Sequence, residues 1–117
     1  MKDICGVTEL NQFIIDSISN NTIKDCRVLL YFGASWCGPC KQLKDRLKHA
    51  DTDKIMPNLI VGHLDIEDED NEELCKRYKI NSLPTQIYIK LNNNIVTEVS
   101  RIEGYDFTRL KMEYDKY

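Results

Sequence analysis

Two cysteines spaced by a glycine and a proline stand where two segments of opposite character meet. The segment before them, 28–32, is an apolar run without polar alternation, which is typical of a strand buried on both faces of a sheet. The segment after them, 41–50, is amphipathic at helical spacing. The pentapeptide Trp36-Cys37-Gly38-Pro39-Cys40 is therefore predicted to join a central strand to a helix, where the two thiols can close a disulfide with little backbone movement.

This position gives the two thiols different chemistry. A thiol at the N-terminus of a helix faces unpaired N–H groups and the positive end of the helix dipole, and both favour its thiolate. Cys37 is therefore predicted to be an exposed nucleophile, and Cys40, one turn further along, the resolving thiol. The pair itself would carry the electrons. No cofactor is predicted, since the chain has no Gly-x-Gly-x-x-Gly fingerprint for a flavin or nicotinamide.

The alternative interpretation of the pair is a structural zinc site or two unrelated core cysteines. Zinc needs further ligands. The remaining cysteines and histidines contain no second close pair, so no metal is predicted; they are Cys5, Cys26, Cys75, His49 and His63.

Composition sets the class of protein. The 117 residues, 42% hydrophobic and 30% charged, predict one globular domain over 1–117, which we expect to be a monomer. A net charge of −3 argues against nucleic acid and anionic membranes as partners. No leader or membrane span is expected, because no apolar stretch is long enough. Five cysteines, an odd number with one close pair, favour a reducing compartment such as the cytoplasm.

Strand and helix patterns alternate along the chain in the order α-β-α-β-α-β-β-α, with a further small strand at 4–6. This order predicts a mixed sheet covered by helices on both faces. Three local signals support it: Thr8 as the cap of the first helix, Asn20-Asn21 as its end, and Asp106 as the cap of the last helix. The expected elements after the first helix are strands at 27–32 and 59–64, a helix at 71–78, a hairpin of 86–91 with 95–99, and a helix from 107.

The chain resembles the thioredoxin family over nearly its whole length. The resemblance rests on Trp36-Cys37-Gly38-Pro39-Cys40-Lys41, on Ser82-Leu83-Pro84-Thr85 and on Gly104 after the last strand. It implies the thioredoxin fold, an α/β architecture in which a central mixed sheet of four to five strands is flanked by four helices. A C-terminal antiparallel hairpin and helix complete that fold.

The resemblance also implies roles for residues around the cysteines. Trp36 would shield the site, and Gly38 and Pro39 would set the turn and the redox potential. Pro84, after a cis peptide bond, would lie against the cysteine pair; an ordinary trans proline beginning a strand is the alternative. An incoming peptide would be bound by the following residues: Trp36, Leu83 (through its backbone), Pro84 and Gly104.

Three positions depart from the family pattern. Tyr31 stands where the family usually has a buried aspartate, and His63 stands where it commonly has a lysine. Both changes touch the group that exchanges a proton with Cys40. The alternative is that Tyr31 is a core aromatic and His63 a core histidine with a satisfied hydrogen bond. Asp45 replaces a proline, so the usual kink of the second helix is not expected.

The predicted function is reduction of protein disulfides by dithiol–disulfide exchange. Its partners would be proteins that contain disulfides and a separate reductase that restores the dithiol. Two alternatives remain open: a disulfide oxidant or isomerase using the same cysteines, and a binding module whose redox activity is vestigial.

Overall fold

A five-stranded mixed sheet forms the centre of the computed structural model, which describes residues 1–19, 27–93 and 95–116. The strand order is β1-β3-β2-β4-β5. Strands β1 and β2 run parallel to β3, and β4 is antiparallel to both β2 and β5. The strands are β1 Lys2–Ile4, β2 Arg27–Gly33, β3 Leu59–Asp65, β4 Thr85–Asn92 and β5 Ile95–Glu103. The helices are α1 Gly6–Ser19, α2 Gly38–Lys48, α3 Ala50–Ile55, α4 Glu72–Arg77 and α5 Phe107–Asp115, with a 3₁₀ helix at Glu69–Asn71.

The central strand β2 separates two apolar cores. Its side chains alternate between them, because successive residues of a strand point to opposite faces. Leu29 and Tyr31 belong to the core covered by α2 and α5, and Leu30 and Phe32 to the core covered by α1 and α4. From Val28 to Gly33 every residue is buried, which confirms the prediction of a strand buried on both faces.

The predicted thioredoxin fold is confirmed, with one helix more than expected among the described residues. The amphipathic segment that was predicted to form one helix ends at Lys48, and His49 adopts an extended conformation with φ −70° and ψ 141°. His49 Nδ1 then accepts a hydrogen bond from Asp51 N and caps α3. Helix α2 is continuous across Asp45, as expected without a proline.

The N-terminal boundaries differ from the sequence-based ones. The first strand lies at Lys2–Ile4 rather than 4–6, and Thr8 is not a cap, because α1 already begins at Gly6. Gly6 has φ +86°, a conformation that turns the chain from β1 directly into α1 and that favours glycine. The predicted end of this helix at Asn20-Asn21 lies outside the described residues.

The C-terminal elements follow the predicted order. Asn93 has φ +53° in the hairpin turn, and β5 extends to Glu103 rather than ending at Val99. The Asp106 side chain accepts a hydrogen bond from Arg109 N at 3.0 Å, which confirms it as the cap of α5. In the described ranges, no helix is both long and apolar enough to cross a membrane.

Candidate active site

The two cysteines of the pentapeptide form a disulfide at the point where β2 leads into α2. Their Cα atoms are 5.2 Å apart. Cys37 is the N-cap of α2, and its Sγ accepts a hydrogen bond from Cys40 N at 3.2 Å. Pro39 lies in the first turn, where a missing N–H costs the helix nothing. The predicted helix N-terminal position of Cys37 is confirmed.

The accessibility of the cysteines differs from expectation. Cys37 is 6% exposed and Cys40 is 1% exposed, so the prediction of an exposed Cys37 is wrong for the disulfide state. Both cysteines belong to the core cluster that also holds Leu43 and Tyr31. Cys37 remains the more accessible of the two.

Trp36, next to the disulfide, is 67% exposed. An indole with two thirds of its surface in solvent is available for contact with another molecule. Ser35, the residue before Trp36, is hydrogen-bonded to Glu67. Glu67 was not a candidate from the sequence. Glu67 Oε1 accepts hydrogen bonds from Ser35 N at 3.0 Å and from Ser35 Oγ at 2.7 Å, and these bonds lower the pKa of the Glu67 carboxyl.

The segment before β4 lies in the same core as the cysteine pair. The Leu83–Pro84 peptide bond is cis, as predicted, and Pro84 is buried. Leu83 packs against the core that includes Cys37 and Cys40. Gly104, with φ +88°, donates its N–H to Pro84 O at 2.8 Å, so this glycine lies beside the proline. Leu83, Pro84 and Gly104, three of the four residues that the resemblance predicts for peptide binding, are therefore close neighbours.

Tyr31 lies against the backbone of Cys40. It is 2% exposed, and its hydroxyl donates a hydrogen bond to Cys40 O at 3.0 Å. Burial raises the pKa of Tyr31 to about 12, with a smaller contribution from the charge of Asp65. A Cβ at position 33 would lie 2.6 Å from Tyr31 Oη, so Gly33 is the residue that makes room for this ring. Tyr31 is thus a core aromatic with a fixed hydrogen bond.

We expect Tyr31→Phe to lower the free energy of unfolding by about 1 kcal/mol, because it removes one buried hydrogen bond while keeping the ring. Urea denaturation against wild type measures the change. Tyr105→Phe, at a tyrosine that is 36% exposed, is the control and should have almost no effect. Equal stability of Tyr31→Phe and wild type would contradict a stabilising role for the bond to Cys40 O.

His63 stacks on Tyr31 with ring centroids 4.8 Å apart and an interplanar angle of 24°. Its Nδ1 lies 3.0 Å from Asp3 Oδ1, so this partly buried histidine has a hydrogen-bond partner. Asp3 was not a candidate from the sequence, since 60 residues separate it from His63. The pairing of β1 with β3 brings them together, because Asp3 and His63 are register partners.

Comparison with known proteins decides the family. The family model described as thioredoxin matches residues 10–111. The chain belongs to the thioredoxin family. Thioredoxins are thiol–disulfide oxidoreductases, and the Cys37–Cys40 disulfide supplies the pair of sulfurs that this redox chemistry uses.

Individual thioredoxins show the extent of the likeness. Thioredoxin-1 of Drosophila yakuba is 34% identical over 86 residues, covering 74% of this chain and 77% of that protein. Thioredoxin-1 of Drosophila melanogaster is 33% identical over 73 residues, which span 62% of this chain and 65% of that protein's length. The X-ray structure of Fasciola hepatica thioredoxin matches the fold with a TM-score of 0.77 at 24% identity, over 99% of this chain and 98% of the other.

Proposed function

We propose that this chain is a thioredoxin-type protein-disulfide reductase. The observation that carries the proposal is the position of Cys37, whose sulfur caps α2 and receives the N–H of Cys40 at 3.2 Å. In the reduced protein that N–H and the helix dipole would stabilise a Cys37 thiolate. Cys40 is only 1% exposed, so it is less accessible than Cys37 to an incoming disulfide.

The reaction transfers two electrons in two exchange steps. Cys37 thiolate attacks one sulfur of the substrate disulfide, forms a mixed disulfide and expels the other substrate sulfur as a thiolate. Cys40 loses its proton and attacks Cys37 Sγ, which forms the Cys37–Cys40 disulfide and expels the second substrate sulfur. The substrate gains two electrons, and the cysteine pair loses them.

The surroundings of the disulfide support protein substrates. The exposed indole of Trp36 offers an apolar contact, and the Leu83 backbone precedes Pro84 in the same neighbourhood. An extended segment of substrate would pair with the Leu83 backbone as an added strand and contact Gly104. A separate reductase would return the pair to the dithiol. We further propose that the protein acts as a monomer in a reducing compartment such as the cytoplasm. The odd number of cysteines, with one close pair, supports the reducing compartment.

Insulin reduction by dithiothreitol tests the proposal. Wild type should accelerate the precipitation of reduced insulin chains, and Cys75→Ser, which changes a partly buried cysteine outside the pair, should do so equally. No acceleration by wild type would favour the alternative of a binding module.

The redox potential separates a reductase from an oxidant. Equilibration with glutathione should give a value near that known for thioredoxins, about −270 mV. A potential above about −180 mV, the range of disulfide isomerases and stronger oxidants, would contradict a reductase.

A further inference from the structure

A cavity of about 300 Å³ lies beside the resolving cysteine. Cys40 lines it together with five side chains that carry titratable groups: Tyr31, Lys41, Lys44, His63 and Asp65. A space of this volume holds several water molecules. The cavity therefore connects Cys40 with a small set of groups that could take up its proton.

Cys40 needs such a group when it attacks the mixed disulfide. It is 1% exposed, and burial in apolar surroundings disfavours a thiolate. The proton must leave before or during attack on Cys37 Sγ, since the thiolate is the nucleophile.

Most of the cavity's titratable groups are unsuited to accept it. The Tyr31 hydroxyl is occupied as a donor to Cys40 O, and its pKa is raised to about 12. Lysine side chains ordinarily carry their full complement of protons at neutral pH. Asp65 Oδ1 already accepts a hydrogen bond from Glu67 N at 2.9 Å. Imidazole is the side-chain type that ordinarily exchanges protons near neutrality. His63 is therefore the remaining candidate acceptor among the groups that line the cavity.

The structure also orients the imidazole. Asp3, His63 and Tyr31 are neighbours in register across β1, β3 and β2, so they form a row on the face of the sheet that α2 covers. His63 Nδ1 must donate its hydrogen to Asp3 Oδ1, because a carboxylate only accepts, and this bond lowers the pKa of the Asp3 carboxyl. Stacking on Tyr31 holds the ring plane. In the neutral ring, Nε2 is then the nitrogen with a lone pair for a proton.

We propose that His63 is the proton acceptor for Cys40 and that Asp3 is its positioning residue. During resolution the Cys40 proton passes through the cavity to His63 Nε2. The Cys40 sulfur bonds to Cys37 Sγ, and the substrate sulfur leaves with the bonding electron pair and takes up a proton from water. This inference rests on the proposed disulfide reductase function.

The imidazole meets charged or titratable groups from every element around it. Asp3 approaches from β1, Tyr31 from β2, and Asp65 ends β3 itself. Helix α2 contributes Lys41 and Lys44 to the cavity, and Lys44 and Lys48 also act on the charge of Asp3. Among the described residues, the carboxylate in hydrogen-bond contact with the ring is that of Asp3, whose Oδ1 lies 3.0 Å from His63 Nδ1.

The test follows the two steps separately with dithiobis(nitrobenzoate), an aromatic disulfide. Attack by Cys37 releases a first equivalent of coloured thiol, and attack by Cys40 on the mixed disulfide releases the second. Serine replaces Cys5, Cys26 and Cys75 in every protein compared, so that only the pair reacts. Stopped-flow absorbance gives both rates as a function of pH.

We expect the second rate of the reference protein to rise with an inflection in the range where imidazole titrates. His63→Gln should slow the second step about a hundredfold at neutral pH and abolish the inflection, with the first step unchanged. Asp3→Asn should slow the second step about tenfold, and Asp3→Glu should restore it. His49→Gln is the matched control, because His49 also has a carboxylate neighbour, Asp51 at 3.5 Å, and should leave both steps unchanged.

Each other outcome overturns a defined claim. An unchanged rate of the second step in His63→Gln overturns His63 as the acceptor. So does a pH profile whose inflection is lost in Asp65→Asn but kept in His63→Gln. A normal second step in Asp3→Asn overturns the positioning role. Absence of the first equivalent, together with no insulin reduction by wild type, would overturn the proposed function itself.

Discussion

Cys37→Ser should reduce insulin-reducing activity to background, whereas Cys40→Ser should accumulate mixed disulfides with its substrates. The difference follows from the positions of the two sulfurs. Cys37 Sγ caps α2 and Cys37 is 6% exposed, while Cys40 lies one turn further in with 1% exposure. Without Cys37 no mixed disulfide forms, and without Cys40 none is resolved.

Two measurements check this expectation. Mass spectrometry should find a stable adduct with a disulfide substrate in Cys40→Ser and none in Cys37→Ser. Limiting alkylation of the reduced wild type at neutral pH should label Cys37 faster than Cys40, and Cys5→Ser, which removes an exposed cysteine outside the pair, is the control for unrelated labelling. Faster labelling of Cys40 would reverse the assignment of nucleophile and resolving thiol.

Tyr31→Asp should lower the free energy of unfolding by about 3–5 kcal/mol at neutral pH, a large part of the stability of a small domain. The substitution removes a ring that is 2% exposed and places a carboxyl in the core that holds Cys40. Burial and the charge of Asp65 are the two influences that raise the pKa of Tyr31, and both would raise the pKa of a carboxyl at the same place.

The pH dependence of stability distinguishes the cost of the buried charge from the cost of losing the ring. A carboxyl whose pKa is raised by folding costs nothing extra below its unfolded pKa of about 3.9, and its cost grows as pH rises through the folded value. Tyr31→Asn has nearly the same shape without the charge. Urea denaturation at about pH 4 and about pH 8 should therefore show similar stabilities at the lower pH and a less stable Tyr31→Asp at the higher. A difference that does not grow with pH would contradict a desolvated site.

The features that sequence alone determined are those encoded by neighbouring residues. The run 28–32 predicted the buried strand, the amphipathic segment 41–50 placed Cys37 and Cys40 at a helix N-terminus, and Asp106 was a correct cap. Each depends on local conformation and on which face of an element is apolar, so a short stretch of chain contains the whole signal. The family resemblance added the cis bond before Pro84, which the structure contains.

The remaining features were decided by tertiary structure. The contact of His63 with Asp3 spans 60 residues, and that of Ser35 with Glu67 spans 32. Both arise from which strands and loops become neighbours, and no local pattern specifies a pair of side chains so far apart. The burial of Cys37 is of the same kind, since it depends on the core assembled around the disulfide. Neighbouring residues determine the cysteine chemistry of this site, and the packing of distant segments determines which groups surround it.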